Sequence, residues 1–253
     1  MAGSAEGIGE AYSKTLAAAD FNLILVDHNR PGLEKLAKSL QNEYQIDIKL
    51  LKLDLKSGDS SYRCMEIIRE TNCRLLIYVA AYSRVESFFR LPQHDLDLFL
   101  DINCRTPLHL IHAFSGYLAN SGTKGGILLV SSLAGLIGPR YVAVYAATKS
   151  FLIRLAESLY FEMKEVNIDV MACAVGTVMT PTYLKSNPDF TRMKPPMTRA
   201  NQVAERSLNA LGKTYLYIPG AFNRLIYFVL QRLMPRSQAK KMVDSAMTKM
   251  YGH

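Results

Sequence analysis

Short apolar runs bounded by polar turns recur along the chain at 22–26, 47–53, 75–79, 127–130, 169–175 and 215–218. Between them the apolar positions shift to helical spacing, near 7–19, 31–43, 58–71, 95–119, 144–166 and 200–211. Fully apolar runs of four to seven residues suit strands buried on both faces, and their alternation with helical segments predicts parallel β-α-β units. Residues 181–200 break the pattern with Pro188, Pro195 and Pro196 among polar neighbours. That stretch reads as a long loop with short helical turns, and long loops in compact domains often serve as lids. No internal repeat or low-complexity linker interrupts the pattern. The predicted class is α/β, a doubly wound parallel sheet with helices on both faces.

At 253 residues and 49% hydrophobic content, the chain can bury one large core. The organisation it suggests is one domain over 1–220 and a basic amphipathic helical extension over 221–253. The first helical pattern opens on Gly3-Ser4-Ala5-Glu6-Gly7-Ile8-Gly9. Glycines permit close backbone approach to a pyrophosphate, and a helix N-terminus favours an anion. A glycine loop of this kind follows a first, central strand in doubly wound sheets. Only Met1 and Ala2 precede Gly3 here, so that strand is expected to be missing. The sequence then predicts exposed edges on its two neighbours, and either a start inside a longer reading frame or a truncated, weakly stable form.

Candidate chemistry concentrates between Ser131 and Lys149. Ser132 follows the apolar run Ile127-Leu128-Leu129-Val130, at a strand's C-terminal end, where open α/β sheets bind ligands. Tyr145 and Lys149 are four residues apart and share one helix face. A phenol titrates near 10, and a neighbouring cation favours its ionised form, so Lys149 is expected to lower the Tyr145 pKa towards a useful range for proton transfer. A second Tyr-x-x-x-Lys, Tyr160 with Lys164, lacks a preceding strand and serine and reads as amphipathic helix surface.

Taken together, these segments resemble the short-chain dehydrogenase/reductase family over nearly the whole chain, which implies a Rossmann-like dinucleotide-binding and catalytic domain over 1–220 with 181–200 as substrate lid. The resemblance runs through Gly3, Gly7 and Gly9; Asp54 in Leu53-Asp54-Leu55; Asn103 in Asp101-Ile102-Asn103; Ser132; Tyr145 with Lys149; and Gly176-Thr177-Val178-Met179-Thr180. It implies a catalytic set of Asn103, Ser132, Tyr145 and Lys149. Tyr145 is the acid/base, Lys149 lowers its pKa and holds the nicotinamide ribose, Ser132 orients the substrate oxygen, and Asn103 supports a water-linked proton relay. The implied cofactor-binding set is Gly3, Gly7, Ile8, Gly9, Asp27, Asp54, Leu55, Ala80, Ala81, Tyr145, Lys149, Gly176, Val178 and Thr180. Thr180 would hold the nicotinamide carboxamide and Asp54 the adenine. Two positions depart from the family pattern. Val79-Ala80-Ala81-Tyr82 replaces Asn-Asn-Ala-Gly, with Tyr82 bulkier than glycine, and Val175-Gly176 replaces Pro-Gly.

The resemblance implies an oxidoreductase that moves a hydride between a nicotinamide cofactor and a secondary alcohol or ketone. The alternative is a nucleotide-binding scaffold or sensor without turnover on the same fold. Asp27, after the second strand, can accept ribose hydroxyls and repel a 2′-phosphate, which favours NAD over NADP; Arg30 is the dissenting residue, within reach of a phosphate. Apolar and aromatic residues at Leu133, Leu136, Ile137, Tyr141, Tyr183 and Leu184 suit a hydrophobic acyl, steroid or lipid-like substrate.

Charge and cysteine usage refine the picture. Cys64, Cys73, Cys104 and Cys173 form no C-x-x-C and no metal-ligand grouping, which fits reduced thiols in a reducing, cytoplasmic compartment. No metal site and no nucleic-acid motif is read from the sequence, no signal peptide is visible, and no apolar run reaches spanning length. From Arg199 onward nine Lys/Arg face only Glu205 and Asp244, which accounts for +7 of the net +8. In that region Leu225, Ile226, Val229, Leu230 and Leu233 follow 3-4 spacing beside Arg224, Arg232, Arg236, Lys240 and Lys241. The stripe suits packing on the domain or on a second subunit of a homo-oligomer, or peripheral contact with a membrane.

Overall fold

The structure, a computed structural model, describes residues 1–252. Its strands are β1 (Leu23–Asp27), β2 (Ile48–Lys52), β3 (Leu75–Tyr78), β4 (Gly125–Ser132), β5 (Ile168–Val175) and β6 (Leu216–Tyr217). The principal helices are α1 (Gly7–Ala17), α2 (Arg30–Glu43), α3 (Ser60–Glu70), α4 (Gln93–Leu100), α5 (Thr106–Ser121), α6 (Ala134–Ile137), α7 (Ala143–Lys164), α8 (Pro181–Leu184), α9 (Ala200–Ala210), α10 (Ala221–Phe228) and α11 (Arg236–Tyr251). β1 pairs with β2, and β3 to β6 pair in sequence, all in parallel. Each predicted strand is present within two residues of its expected ends. β4 and β5 run side by side in the middle, buried over nearly their whole length. One apolar cluster packs α3, α5 and α7 on one face of the sheet, and a second packs α1, α2 and α9 on the other.

The sheet is joined where the sequence predicts a break. Ala2 bridges both Val26 and Tyr78. Its N–H donates to Ile77 O (3.0 Å), and its carbonyl accepts from Val79 N (2.9 Å). On the other side Val26 N donates to Met1 O (2.9 Å) and Gly3 N to Val26 O (2.8 Å). The tripeptide therefore supplies the C-terminal tip of a central strand, in the expected order β2-β1-tip-β3-β4-β5-β6. Below the tip lies a narrow apolar slot, partly open to solvent, lined by Ile24, Val26, Leu75, Leu76, Ile67 and Ile68 among others. An extended residue points its N–H and C=O to one side, so the N–H groups of Ile24 and Ile77 face this slot. The Met1 ammonium sits at its top, donating to Ile24 O (2.8 Å), and burial pulls its pKa below the ordinary value.

One predicted helix is divided. Residues 95–119 form α4, a π turn over Asp101–Arg105, and α5. Pro107 has no N–H to return to the carbonyl four residues earlier, that of Asn103, so regular α-helical bonding cannot pass through this point. The π turn is one of the places where helices carry functional residues, and it turns Asn103 into the interior.

Appending a five-residue Val/Ile-rich segment ahead of Met1 should fill the slot, pair its edges and replace the buried ammonium by a neutral amide. Each unpaired buried group costs about 1–3 kcal/mol, so a gain of roughly 2 kcal/mol or more is expected. That corresponds to a rise of about 4–8 °C in Tm by calorimetry. An unchanged Tm would show that the slot costs the fold nothing.

Candidate active site

The C-terminal ends of β1, the tip, β3, β4 and β5 open onto one cleft. The glycine loop forms its floor. Gly3 has φ +81°, and a Cβ there would lie 2.5 Å from Ala80 N; a Cβ on Gly9 would lie 1.8 Å from Gly3 O. No larger residue fits either position. Gly7 begins α1, and a Cβ on it would meet Thr180 Cγ2 at 3.0 Å, so the loop also touches the strand-end segment after β5. No side chain caps α1, which leaves its first-turn N–H groups facing outward as an anion site. The Asp27 carboxylate accepts from Ala5 N and Asn29 N, both at 3.0 Å, and so ties the end of β1 to the loop. Close backbone, uncapped helix start and carboxylate together fit a dinucleotide. Ile8 lies in the same first turn of α1, Leu55 is buried, and Ala80 and Ala81 follow β3. Asp54 accepts from Lys56 N (3.1 Å) and pairs with the Lys56 ammonium (3.1 Å). Gly176 packs on Asn223, Val178 is buried, and the Thr180 hydroxyl caps α8 by accepting from Tyr183 N (3.1 Å).

Ser132 ends β4, and α7 crosses behind it carrying Tyr145 and Lys149. Gly135 allows the crossing: a Cβ there would lie 2.7 Å from the Lys149 carbonyl carbon. The buried Ser131 hydroxyl donates to Lys149 O (2.7 Å), fixing α7 against the strand. Asn103 reaches the same point from the π turn. Its Nδ2 donates to Thr148 Oγ1 (3.0 Å) and Tyr82 O (2.9 Å), and its Oδ1 accepts from Tyr82 N (2.7 Å). Thr148 in turn donates to Tyr145 O (2.9 Å). Asn103, Ser132, Tyr145 and Lys149 are thus brought together. The Tyr82 substitution is absorbed: its backbone is clamped by Asn103, and its ring meets Phe99 edge-on at 4.9 Å.

The electrostatics differ from the sequence expectation. Lys149 is buried, and its Nζ donates to Val130 O (2.9 Å), lying 5.7 Å from the Tyr145 ring centroid. The Tyr145 phenol is raised above its ordinary value by burial, against the opposing hydrogen bond with Ser132. Burial pulls Lys149 from 10.5 down to about 8. The direct ammonium–phenol hydrogen bond occurs instead in the second Tyr-x-x-x-Lys, where Lys164 Nζ donates to Tyr160 Oη at 2.9 Å. Tyr160 is a buried residue packed against Phe161 and Tyr215, not helix surface. Its ring is apolar enough to be claimed by the core while its hydroxyl reaches the edge.

The loop over 181–198 is pinned at both ends. Thr198 N donates to Thr177 O (2.9 Å), and Thr182 Oγ1 to Glu6 Oε1 (3.1 Å). Asn223 donates to Thr198 Oγ1 (3.2 Å) and Pro219 O (3.0 Å). Sequence reasoning missed Ser131, Thr148 and Asn223. The first two adjoin Ser132 and Lys149, and that adjacency was their one available signal. Asn223 carried none. Among the described residues no group of three His, Cys, Asp or Glu could hold a metal, and all four cysteines are free.

The Lys149 shift has a sign that can be measured. The folded chain gives up this proton before the unfolded chain does. Burying the charge therefore costs stability in full below about pH 8, and the cost fades as pH rises from about 8 to 10.5. Relative to Lys149→Met, the unsubstituted protein should gain up to roughly 3 kcal/mol across that window. Denaturant melts at successive pH values check it; parallel curves for the two proteins would contradict it.

Comparisons with known proteins bear on the family and the fold. A family model described as short chain dehydrogenase matches residues 1–190. A 7beta-hydroxysteroid dehydrogenase of Clostridium sardiniense is 28% identical over 222 residues, covering 88% of this chain and 85% of the relative. A solved structure of a 7beta-hydroxysteroid dehydrogenase superposes with a TM-score of 0.85 at 21% identity, over 96% of this chain and 94% of the other. A short-chain dehydrogenase from Sphingobium yanoikuyae in complex with NADPH gives a TM-score of 0.82 at 22% identity, over 91% and 90%. With three quarters of its length matched and its Ser, Tyr and Lys converging beside a glycine loop, the chain belongs to the short-chain dehydrogenase family and is an oxidoreductase acting on CH–OH groups.

Proposed function

We propose that the protein interconverts a hydrophobic ketone and its secondary alcohol, with Tyr145 as the acid/base. The observation that carries this reading is the convergence of Asn103, Ser132, Tyr145 and Lys149 at the end of β4, beside the glycine loop. A nicotinamide cofactor supplies or takes the hydride when bound. The chain's own residues do the rest. Ser132 Oγ, beside the Tyr145 phenol, orients the substrate oxygen. Tyr145 Oη gives that oxygen a proton in reduction and takes it back in oxidation. A phenol held above its ordinary value stays protonated at neutral pH and so carries the proton that reduction needs, and Lys149 as a nearby cation would favour the phenolate that follows. Lys149 would also hold the nicotinamide ribose, and Asn103 would anchor a proton relay alongside Thr148. Asp54 would meet the adenine, and Thr180 the carboxamide.

Asp27 supports NAD over NADP, since its carboxylate stands at the end of β1, beside the His28 ring at 3.2 Å. Arg30 is engaged by Glu34 (2.6 Å), which weakens its case as a phosphate ligand. The apolar residues Leu133, Leu136, Ile137, Tyr141, Tyr183 and Leu184 would border the approach to Ser132 and Tyr145. They support a steroid or acyl-type substrate, in line with the hydroxysteroid relatives. The reading extends to a cytoplasmic homo-oligomer with its C-terminal basic segment at a membrane surface; exposed Phe161 and Leu108 on α7 and α5 offer apolar area for self-association.

NADH and NADPH consumption with a panel of steroid and acyl ketones tests the proposal. Turnover is expected, with a higher kcat/KM for NADH. Tyr145→Phe should lower kcat about 10²–10⁴-fold while NADH binding persists, and Tyr160→Phe should leave turnover unchanged. Equal losses at the two tyrosines would remove Tyr145 from its role. Cofactor binding without turnover on any ketone would favour the scaffold or sensor alternative.

A further inference from the structure

The expected stripe at 221–233 is divided in the structure. Leu230 is buried, and Ile226 and Val229 are half-buried. Leu225 and Leu233 instead face solvent, joined by Phe222 and Phe228, at 57, 68, 58 and 52% exposure respectively. Phe222, Leu225 and Phe228 are three apart along α10 and so share one flank. Asn223 and Leu230 point inward and fix this orientation: Asn223 is bonded to Thr198 and Pro219. The outward apolar flank is therefore imposed by the anchors of the helix and is not fraying.

Charge surrounds that flank on one sign only. Arg232 lies one turn beyond Phe228, and Arg236, Lys240 and Lys241 follow on α11, all exposed. No acidic residue occurs between 221 and 243. The next one, Asp244, is held bidentately by Arg140 at 2.5 and 2.9 Å. An isologous dimer through this face would set the same cations of two copies against one another with no carboxylate to pair them. A flat anionic surface has no such penalty, and it accepts phenylalanine and leucine at its acyl boundary.

We propose that the exposed face of 222–242 docks on an anionic lipid surface. This deepens the membrane reading above and rests on it only for its purpose. Gln231 Nε2 donates to Leu136 O (3.3 Å), and Asn223 holds the end of the lid at Thr198. The docked face thus borders the approach to Ser132 and Tyr145, and an apolar ketone could pass from bilayer to cleft without crossing water.

Co-sedimentation of the full chain with vesicles tests the contact independently of turnover. Binding to phosphatidylcholine vesicles containing phosphatidylglycerol is expected at low salt, with little binding to phosphatidylcholine alone and release at high salt. Arg232→Gln with Arg236→Gln should lower the partition coefficient on the order of 30-fold. Phe222→Ser with Phe228→Ser should also weaken it, and NADH binding by both variants would verify that they are folded. No sedimentation with anionic vesicles at low salt would overturn the proposal, as would equal binding to neutral vesicles or partition unchanged in both variants. A monomer–dimer equilibrium in ultracentrifugation that the variants abolish, with no vesicle binding, would assign the face to a second copy instead. Failure of every ketone substrate would leave the vesicle result standing and would count only against the activity.

Discussion

Three residues, Met1 to Gly3, hold the two parts of the sheet together. Met1 and Gly3 exchange hydrogen bonds with β1, while Ala2 exchanges them with β3. Without them β1 and β2 would have no backbone link to β3–β6. The same residues start the glycine loop, so the constraint that closes the sheet would also set the floor of the proposed cofactor cleft. Gly3 must be glycine because the Ala80 backbone passes within contact of where a side chain would begin. The departure from the family pattern at 79–82 leaves this contact intact, since its two closest atoms are the backbone N and Cα of residue 80.

The catalytic end of the cleft depends on a second close approach, that of α7 to β4. Gly135 and the Ser131 hydroxyl bring the backbone of Lys149 against the strand, and burial of the ammonium is the cost of that fit. The lowered Lys149 and raised Tyr145 are two results of one desolvated environment: each group is pushed towards its neutral form. Such a site stores electrostatic free energy that a bound anion or a developing phenolate would release. The second Tyr-x-x-x-Lys has the shorter ammonium–phenol contact yet lies outside the cleft, with no serine at a strand end beside it. Position relative to the sheet, rather than the pair itself, separates the two.

Much of the fold was legible in the sequence. Strands buried on both faces leave continuous apolar runs, which made β1, β3, β4 and β5 readable; β2, with exposed Lys49 and Lys52, and the half-buried β6 were readable from shorter apolar stretches between helical segments; the Ser132, Tyr145 and Lys149 group was readable from its place after one such run. What escaped was set by tertiary contact. The π turn follows from Pro107, but the inward rotation of Asn103 depends on Thr148 and Tyr82, distant in sequence. The tip of the central strand was expected to be absent because two residues are too few for a strand; one residue suffices when both neighbours are already in register. The division of the stripe on α10 into an inward and an outward side was not legible because its phase is fixed by Asn223, a polar residue whose burial no periodicity signals. Lys149 was expected to face the phenol because i,i+4 spacing places side chains together on an isolated helix, whereas the Val130 carbonyl claims the ammonium in the packed one.

The account makes closure of the sheet and formation of the cofactor floor a single event, and Gly3→Ala separates it from its rivals most directly. Thermal melts and NADH fluorescence titration on the same preparation give both readouts. The added methyl, 2.5 Å from Ala80 N in the unrelaxed structure, should lower Tm by several degrees and weaken NADH binding by at least about tenfold, a loss of about 1.4 kcal/mol. A protein that melts at the unsubstituted temperature and binds NADH equally well would contradict it.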